Sequence, residues 1–139
     1  MGIFGLGRIG NIIYAYNSLL YWFIKFAYLK GLAIAKRIQN FGVNKIIYNN
    51  RRVNQEAAEQ GYEHVDLDTL LRESDFLICT CAATKETEKF FNLDIFRRMK
   101  PSAVFLNISR GSVVNQDDLC VALKENLIAV AGQFSDFVL

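Results

Sequence analysis

The sequence is poor in the residues that cross-link a small protein or bind metal in it. It has three cysteines and one histidine among its 139 residues. Cys79 and Cys81 stand two apart in an apolar run, a spacing typical of neither a secreted disulfide framework nor a zinc site. We therefore predict reduced core cysteines and no bound metal. A chain of this length can bury enough apolar surface to be stable as one domain without either.

An excess of charge of one sign is also missing. The formal net charge is +2, and no block of basic residues is interleaved with aromatic ones, so the sequence predicts no nucleic-acid partner. No basic leader with a cleavage site precedes the apolar stretch at Met1, which predicts a cytoplasmic protein. No repeat or low-complexity linker divides the chain.

The first ten residues contain a glycine fingerprint directly after an apolar strand. Gly5 allows the tight turn, Gly7 lets the backbone approach a pyrophosphate, and Gly10 lets the next helix pack closely on the strand. This pattern predicts a dinucleotide site. Taken alone it is weak, because glycines also mark turns and bulges for structural reasons.

Short β-branched or apolar runs alternate with longer amphipathic ones after residue 31, which is typical of βαβ units. We predict an α/β fold, a Rossmann-type doubly wound parallel sheet. The predicted strands are 45–49, 62–65, 75–81, 103–108 and 128–131, and the predicted helices are 32–40, 54–60, 67–72, 93–99 and 116–126. Predicted helix caps are Asp66 or Asp68, Asn92, and Asn115 or Gln116.

The distance from the fingerprint to the second strand predicts an insertion. The residue that contacts the adenosine ribose is expected about 20 residues beyond the glycines. Here the strand end at Asn50 lies 40 residues after Gly10, and removal of residues 11–31 restores the spacing. That segment contains the only tryptophan and four of the six tyrosines.

Three interpretations of residues 11–31 compete. Residues 12–29 carry one charge and just reach the length of a membrane span, although Asn17, Ser18 and Lys25 weaken that interpretation. The segment could also form a buried or partner-binding helix. We favour a segment foreign to the fold, such as translated non-coding sequence, because Ile, Tyr, Phe, Asn and Lys dominate it and all have A/T-rich codons.

Four segments together resemble the cofactor domain of the D-isomer-specific 2-hydroxyacid dehydrogenases, and within that family the glyoxylate/hydroxypyruvate reductases. The likeness covers residues 2–10 and 32–132. Its most specific part is Asn107-Ile-Ser-Arg-Gly-Ser-Val-Val114, and the other parts are the glycine fingerprint, residues 75–84 and residues 92–101.

The resemblance implies roles for individual residues. Arg110 corresponds to the arginine that binds the substrate carboxylate and carbonyl of a small 2-oxoacid, for which a planar fork of donors is suited. An exposed arginine at a strand end is the structural alternative. The implied cofactor-binding residues, besides the three glycines, are Arg8, Ile9, Cys81, Ala82 and Ile108.

The turn after the second strand predicts the cofactor. An acidic residue there would accept hydrogen bonds from the ribose and repel a 2′-phosphate, but this chain has Asn50, Arg51 and Arg52. Two guanidinium groups and no carboxylate favour NADPH over NADH. A solvated basic turn is the alternative.

Departures from the family pattern predict a fragment. The family has a proton-donor histidine and a substrate domain that we do not find here, and His64 is expected to be an ordinary surface or core residue. We expect a cofactor domain over residues 1–132, interrupted at 11–31, and an unrelated tail over 133–139. Such a fragment of a homodimeric family would be inactive alone. The alternatives are a non-catalytic nucleotide-binding or interaction protein, or a membrane-associated variant through residues 12–29.

Overall fold

A six-stranded parallel sheet is the centre of the computed structural model, which describes residues 1–4 and 31–134 and only the backbone of Ile3 and Phe4. The glycine fingerprint and residues 11–30 of the predicted insertion lie outside the described residues. The strands are β1 (Gly2–Phe4), β2 (Ile47–Asn49), β3 (Glu63–His64), β4 (Phe76–Cys79), β5 (Val104–Asn107) and β6 (Val130–Gln133).

The order of the strands across the sheet is β3-β2-β1-β4-β5-β6. Ile3 is aligned with Tyr48 of β2 on one side and with Ile78 of β4 on the other, and every pairing is parallel. Strands β2 and β3 are therefore added on one side of β1, and β4, β5 and β6 are added on its other side. This is the doubly wound order in which ligands bind at the reversal point, outside the carboxyl ends of the strands. The predicted fold class is confirmed.

Five α-helices connect the strands in the described part of the chain. They are α1 (Gly31–Ile38), α2 (Gln55–Glu59), α3 (Leu67–Glu73), α4 (Leu93–Arg97) and α5 (Gln116–Lys124), and short 3₁₀ turns follow at Gln39–Phe41 and Gly111–Val113. Gly31, the last residue of the predicted insertion, is buried and begins α1, one residue before the predicted helix start. The helical stretch ends at Gly42, whose φ of 74° lies in the left-handed region that favours glycine.

Helix starts agree with the predicted capping residues. The side chain of Asp66 accepts a hydrogen bond from the Thr69 N–H, and Asn92 accepts one from the Ile95 N–H. Asn115, rather than Gln116, caps α5. Because each cap satisfies a backbone N–H that has no partner within its helix, these short helices begin at fixed residues.

Several predicted boundaries were wrong by one or two residues. The predicted strand 45–49 begins only at Ile47, because its partner β1 is three residues long and pairs from Gly2 onward. The predicted strand 128–131 is displaced to Val130–Gln133, where register with β5 aligns Val104 with Val130. The predicted helix 116–126 ends at Lys124, and Asn126 has a left-handed φ of 55°.

Apolar side chains form two clusters around the sheet. The larger one lies around β4 and β5 and includes Phe91, Phe96 and Phe105, each fully buried. The smaller one lies around β2 and includes Tyr48 and Tyr62. The packed strands hold the carboxyl edge of the sheet in a fixed geometry.

Acid should weaken the start of α3. The hydrogen bond from the Thr69 N–H lowers the pKa of Asp66 below its ordinary value. A carboxylate with a lowered folded pKa stabilises the fold above its unfolded pKa, and that contribution is lost as pH falls through the folded pKa. Asp66→Asn keeps an acceptor at every pH, so the original chain should lose more thermal stability than Asp66→Asn between about pH 5 and pH 2.

Melting temperatures of both chains across that range measure the effect. Asp94→Asn, which changes a carboxylate inside the first turn of α4 rather than at a cap, is the control and should follow the original chain more closely. Parallel pH profiles for the original chain and Asp66→Asn would contradict the assignment of Asp66.

Candidate functional site

The candidate site is the carboxyl edge of the sheet at β1 and β4, the neighbouring strands between which the strand order reverses. In a parallel sheet all carboxyl ends lie on this one edge, so the residues after β2, β4 and β5 are brought to the same side. These are the turns that contain Asn50, Cys81 and Arg110. The predicted cofactor residues Gly5, Gly7, Arg8, Ile9 and Gly10 lie outside the described residues.

Two thiols stand at the end of β4. The Sγ atom of Cys79 lies 3.6 Å from Sγ of Cys81 and 3.6 Å from Oγ of Ser109. Cys79 is fully buried, whereas Cys81 is half-buried and Ala82 is exposed. The hydrogen bond to Cys81, together with burial, raises the pKa of the Cys79 thiol. The same bond, with that from Ser109, lowers the pKa of Cys81.

The turn after β5 is organised by the buried side chain of Asn107. Its Oδ1 accepts hydrogen bonds from the backbone N–H and the hydroxyl of Ser109, at 3.0 and 2.9 Å, and its Nδ2 donates to the Arg110 carbonyl at 2.9 Å. Ile108 is half-buried, and its N–H donates to the Cys79 carbonyl, which connects this turn to β4. The backbone of Arg110 is therefore fixed while its side chain is exposed.

The turn after β2 contains the predicted cofactor-selecting residues. The Asn50 carbonyl lies 3.0 Å from Nε2 of His64. Arg51 is 84% exposed, and its guanidinium lies 3.5 Å from the carboxylate of Glu86, which is 75% exposed. Arg52 is exposed as well. Both guanidinium groups are accessible to a ligand at the carboxyl edge.

Sequence reasoning missed the residues that support these turns. The loop after β4 is braced by Thr87, whose hydroxyl donates to the Ala82 carbonyl at 2.7 Å, and it places Glu86 against Arg51. Beyond β5, the side chains of Gln116 and Gln133 bond to each other at 2.7 and 3.1 Å. They line an open groove of about 710 Å³. The one available signal was Asn107, a polar residue that ends an otherwise apolar strand.

The structure separates the only histidine from the substrate-binding candidate. His64 is on β3, whereas Arg110 follows β5, and β2, β1 and β4 lie between the two strands. Four spacings of about 4.8 Å place β3 and β5 roughly 19 Å apart. His64 is exposed. Cys81, Ile108 and Arg110 therefore lie together at the carboxyl ends of β4 and β5. The turn of Asn50, Arg51 and Arg52 lies at the same edge, on the other side of β1.

Within residues 1–4 and 31–134, no helix has the length and apolar character required to cross a membrane. Residues 12–29, on which the membrane interpretation depended, are outside that range. No group of three or more potential metal ligands occurs in the same described part.

Known proteins similar to this chain are reductases and dehydrogenases of 2-hydroxyacids. It is 43% identical over 133 residues to glyoxylate reductase/hydroxypyruvate reductase of Homo sapiens, an alignment that covers 95% of this chain and 34% of that protein. It is 41% identical to glyoxylate reductase of Thermococcus litoralis, with the same coverage. The chain therefore spans about a third of the length of the curated relatives it matches.

Solved structures show the same fold. The D-isomer specific 2-hydroxyacid dehydrogenase of Lactobacillus delbrueckii ssp. bulgaricus, in its NAD complexed form, matches with a TM-score of 0.76 and 27% identity, over 96% of this chain and 35% of that one. An NADPH-dependent glyoxylate/hydroxypyruvate reductase from Sinorhizobium meliloti, in complex with citrate, matches with a TM-score of 0.71 and 31% identity, over 96% and 34%.

The family model of the D-isomer specific 2-hydroxyacid dehydrogenase NAD binding domain matches residues 30–133, which are most of the chain. That match includes α1 and extends through β6 to Gln133. Together with the strand order and the relatives, it confirms the predicted family. The chain belongs to the D-isomer specific 2-hydroxyacid dehydrogenases through their NAD-binding domain, the domain that takes a nicotinamide cofactor.

Proposed function

We propose that this chain binds NADPH at the reversal point of the sheet and is the cofactor-binding part of a 2-oxoacid reductase. The observation that carries the proposal is the position of Arg51 and Arg110 on opposite sides of β1 and β4, at the same edge of the sheet. A dinucleotide laid across that edge would have its adenosine end toward β2 and its nicotinamide end toward β5. The exposed guanidinium groups at this edge fit the negative charge of such a ligand.

The β2 turn supports NADPH rather than NADH. The 2′-phosphate of NADPH carries negative charge, and guanidinium groups bind phosphate with paired hydrogen bonds. Arg51 and Arg52 are exposed there, and no carboxylate is present on the turn itself. Glu86 faces Arg51 from the neighbouring loop and would repel the phosphate in part. The Sinorhizobium meliloti relative is described as NADPH-dependent.

The turn after β5 supports a small 2-oxoacid as substrate. Asn107 fixes the backbone of Arg110, so the exposed guanidinium projects from a rigid base. A planar fork of N–H donors can bind a carboxylate and polarise the adjacent carbonyl. The reduced nicotinamide supplies the hydride when it is bound. Glyoxylate and hydroxypyruvate are the substrates named for the relatives.

We further propose that the 139-residue polypeptide alone does not reduce these substrates. Reduction of a carbonyl also needs a proton donor near the oxygen. His64 is roughly 19 Å from the strand that leads to Arg110, by the strand spacing, and so cannot act there. The chain also spans about a third of its relatives, so it offers only part of an enclosed cleft.

Calorimetric titration of the full chain with NADPH and with NADH tests the proposal. Because the arginines are exposed and screened by solvent, we expect NADPH to bind about tenfold more tightly, which corresponds to about 1.4 kcal/mol. With glyoxylate or hydroxypyruvate present, the chain should oxidise NADPH no faster than a control without protein. Equal affinities would overturn the cofactor assignment, and turnover of about 1 per second or more would overturn the claim of inactivity.

A further inference from the structure

Two thiols stand at the end of β4, at the same edge of the sheet as the proposed nucleotide site, and Cys81 is one of the predicted cofactor-binding residues. Cys79 and Cys81 are separated by one residue, and both are free thiols with their sulfur atoms 3.6 Å apart. A disulfide has an S–S distance of about 2.05 Å, so the two sulfur atoms must approach by about 1.5 Å. Cys81 lies beyond the last residue of β4, and within residues 1–4 and 31–134 no strand pairing includes it.

We propose that Cys79 and Cys81 form an oxidation site that a hydroperoxide converts to an intramolecular disulfide. The two thiols differ in access, since Cys81 is half-buried and Cys79 is fully buried. Cys81 is therefore the thiol that meets the oxidant, and Cys79 is the one that resolves the product. The third cysteine, Cys120, is exposed on α5 and belongs to a different part of the fold.

The chemistry balances in two steps. The Cys81 thiolate attacks one oxygen of the hydroperoxide, so that an S–O bond forms, the O–O bond breaks, and the departing alkoxide takes a proton from solvent. The Cys79 sulfur then attacks the Cys81 sulfur, so that the S–S bond forms and the S–O bond breaks. The hydroxide leaves as water with the Cys79 proton. Two thiols are oxidised, and one hydroperoxide is reduced to an alcohol and water.

The short distance between the two sulfur atoms favours the second step, although the raised pKa of Cys79 lowers the thiolate fraction available for it. The Cys79 sulfur has Cys81 on one side and the Ser109 hydroxyl on the other, both at 3.6 Å. A sulfenic acid on Cys81 would therefore form within reach of a thiol that is already in place. The lowered pKa of Cys81 also raises the thiolate fraction that attacks the peroxide. Because the Cys79 sulfur is only 3.6 Å away, we expect disulfide formation to be faster than further oxidation of Cys81 to a sulfinic acid.

Peptide mapping after hydrogen peroxide treatment of the full chain tests the proposal without any substitution. Trypsin releases residues 73–85, which contain both Cys79 and Cys81, and residues 111–124, which contain Cys120. We expect the first peptide to lose the mass of two hydrogen atoms, and dithiothreitol to restore it. Gain of oxygen on Cys81 without loss of hydrogen, or oxidation confined to the Cys120 peptide, would overturn the proposal.

Variants assign the two roles. Cys120→Ser is the matched control and should keep the loss of two hydrogen atoms in the peptide of residues 73–85. Cys79→Ser should leave a sulfenic acid on Cys81 that dimedone traps, whereas Cys81→Ser should leave Cys79 unmodified at the same peroxide dose. If Cys79 in Cys81→Ser is oxidised as fast as the pair in the original chain, Cys81 is not the thiol that is attacked first. Circular dichroism establishes that each variant is folded before treatment.

Discussion

The double variant Arg51→Ala, Arg52→Ala is expected to bind NADPH no more tightly than NADH, a loss of about tenfold in the preference between the two cofactors. A hydrogen bond to a charged group contributes about 1.5–3 kcal/mol, and solvent exposure of Arg51, at 84%, reduces this. NADH has no 2′-phosphate, so its affinity should change little. Titrations of both nucleotides at one fixed salt concentration measure the effect.

Two further variants make this prediction specific. Glu86→Gln removes the carboxylate that lies 3.5 Å from the Arg51 guanidinium and should increase the preference for NADPH. Arg97→Ala removes an exposed arginine that pairs with Asp94 on α4, and it should leave both affinities unchanged. If Arg97→Ala weakens NADPH as much as the double variant does, the effect is one of net charge and the assignment of Arg51 and Arg52 is wrong.

Phe105→Ala should destabilise the fold by about 3–5 kcal/mol, the usual cost when a fully buried phenylalanine is truncated. Phe105 lies on β5 and is 0% exposed. Its ring centroid is 4.8 Å from that of Phe91 and 5.4 Å from that of Phe96. Its loss leaves a cavity between β5 and the elements that cover it. Urea unfolding of the full chain, followed by far-ultraviolet circular dichroism, measures the change.

Phe76 on β4 is the matched control, because it is the same residue type but is 50% exposed. Phe76→Ala should cost about 1 kcal/mol, since it loses only part of a buried side chain. If Phe105→Ala does not fold, Phe105→Leu keeps most of the volume and should cost about 1.5 kcal/mol. Equal losses for Phe105→Ala and Phe76→Ala would contradict the packing described for β5.

Local patterns were sufficient to predict most of the fold. Asp66, Asn92 and Asn115 were predicted as helix caps because capping uses a side chain and a backbone N–H only three residues apart. The last strand was misplaced because Ile128, which is 1% exposed, packs in the core without being paired in the sheet. The bounds of β6 are determined by its pairing with β5, and they cannot be predicted from the hydrophobicity of residues 128–133 alone.

Two contacts that support the site could not be predicted, because each joins residues far apart in the sequence. Arg51 and Glu86 are 35 residues apart and meet only because β2 and β4 end at the same edge of the sheet. Gln116 and Gln133 are 17 residues apart and meet across the turn after β5. The position of Arg110 was predictable because the motif around it is local in sequence. The contact between Ile108, which precedes it by two residues, and Cys79 could not be predicted in the same way, because it depends on β4 and β5 being neighbours in the sheet.

The central claim is that a nicotinamide dinucleotide binds at the carboxyl edge of the sheet. Amide chemical shifts of the full ¹⁵N-labelled chain, recorded during titration with NADPH, test it most directly. We predict shifts in residues 49–52, 80–82 and 108–111, and none at the opposite ends of the same strands, in residues 46–47, 75–76 and 103–104. Shifts confined to those opposite ends, or no shift at about 1 mM NADPH, would contradict the account.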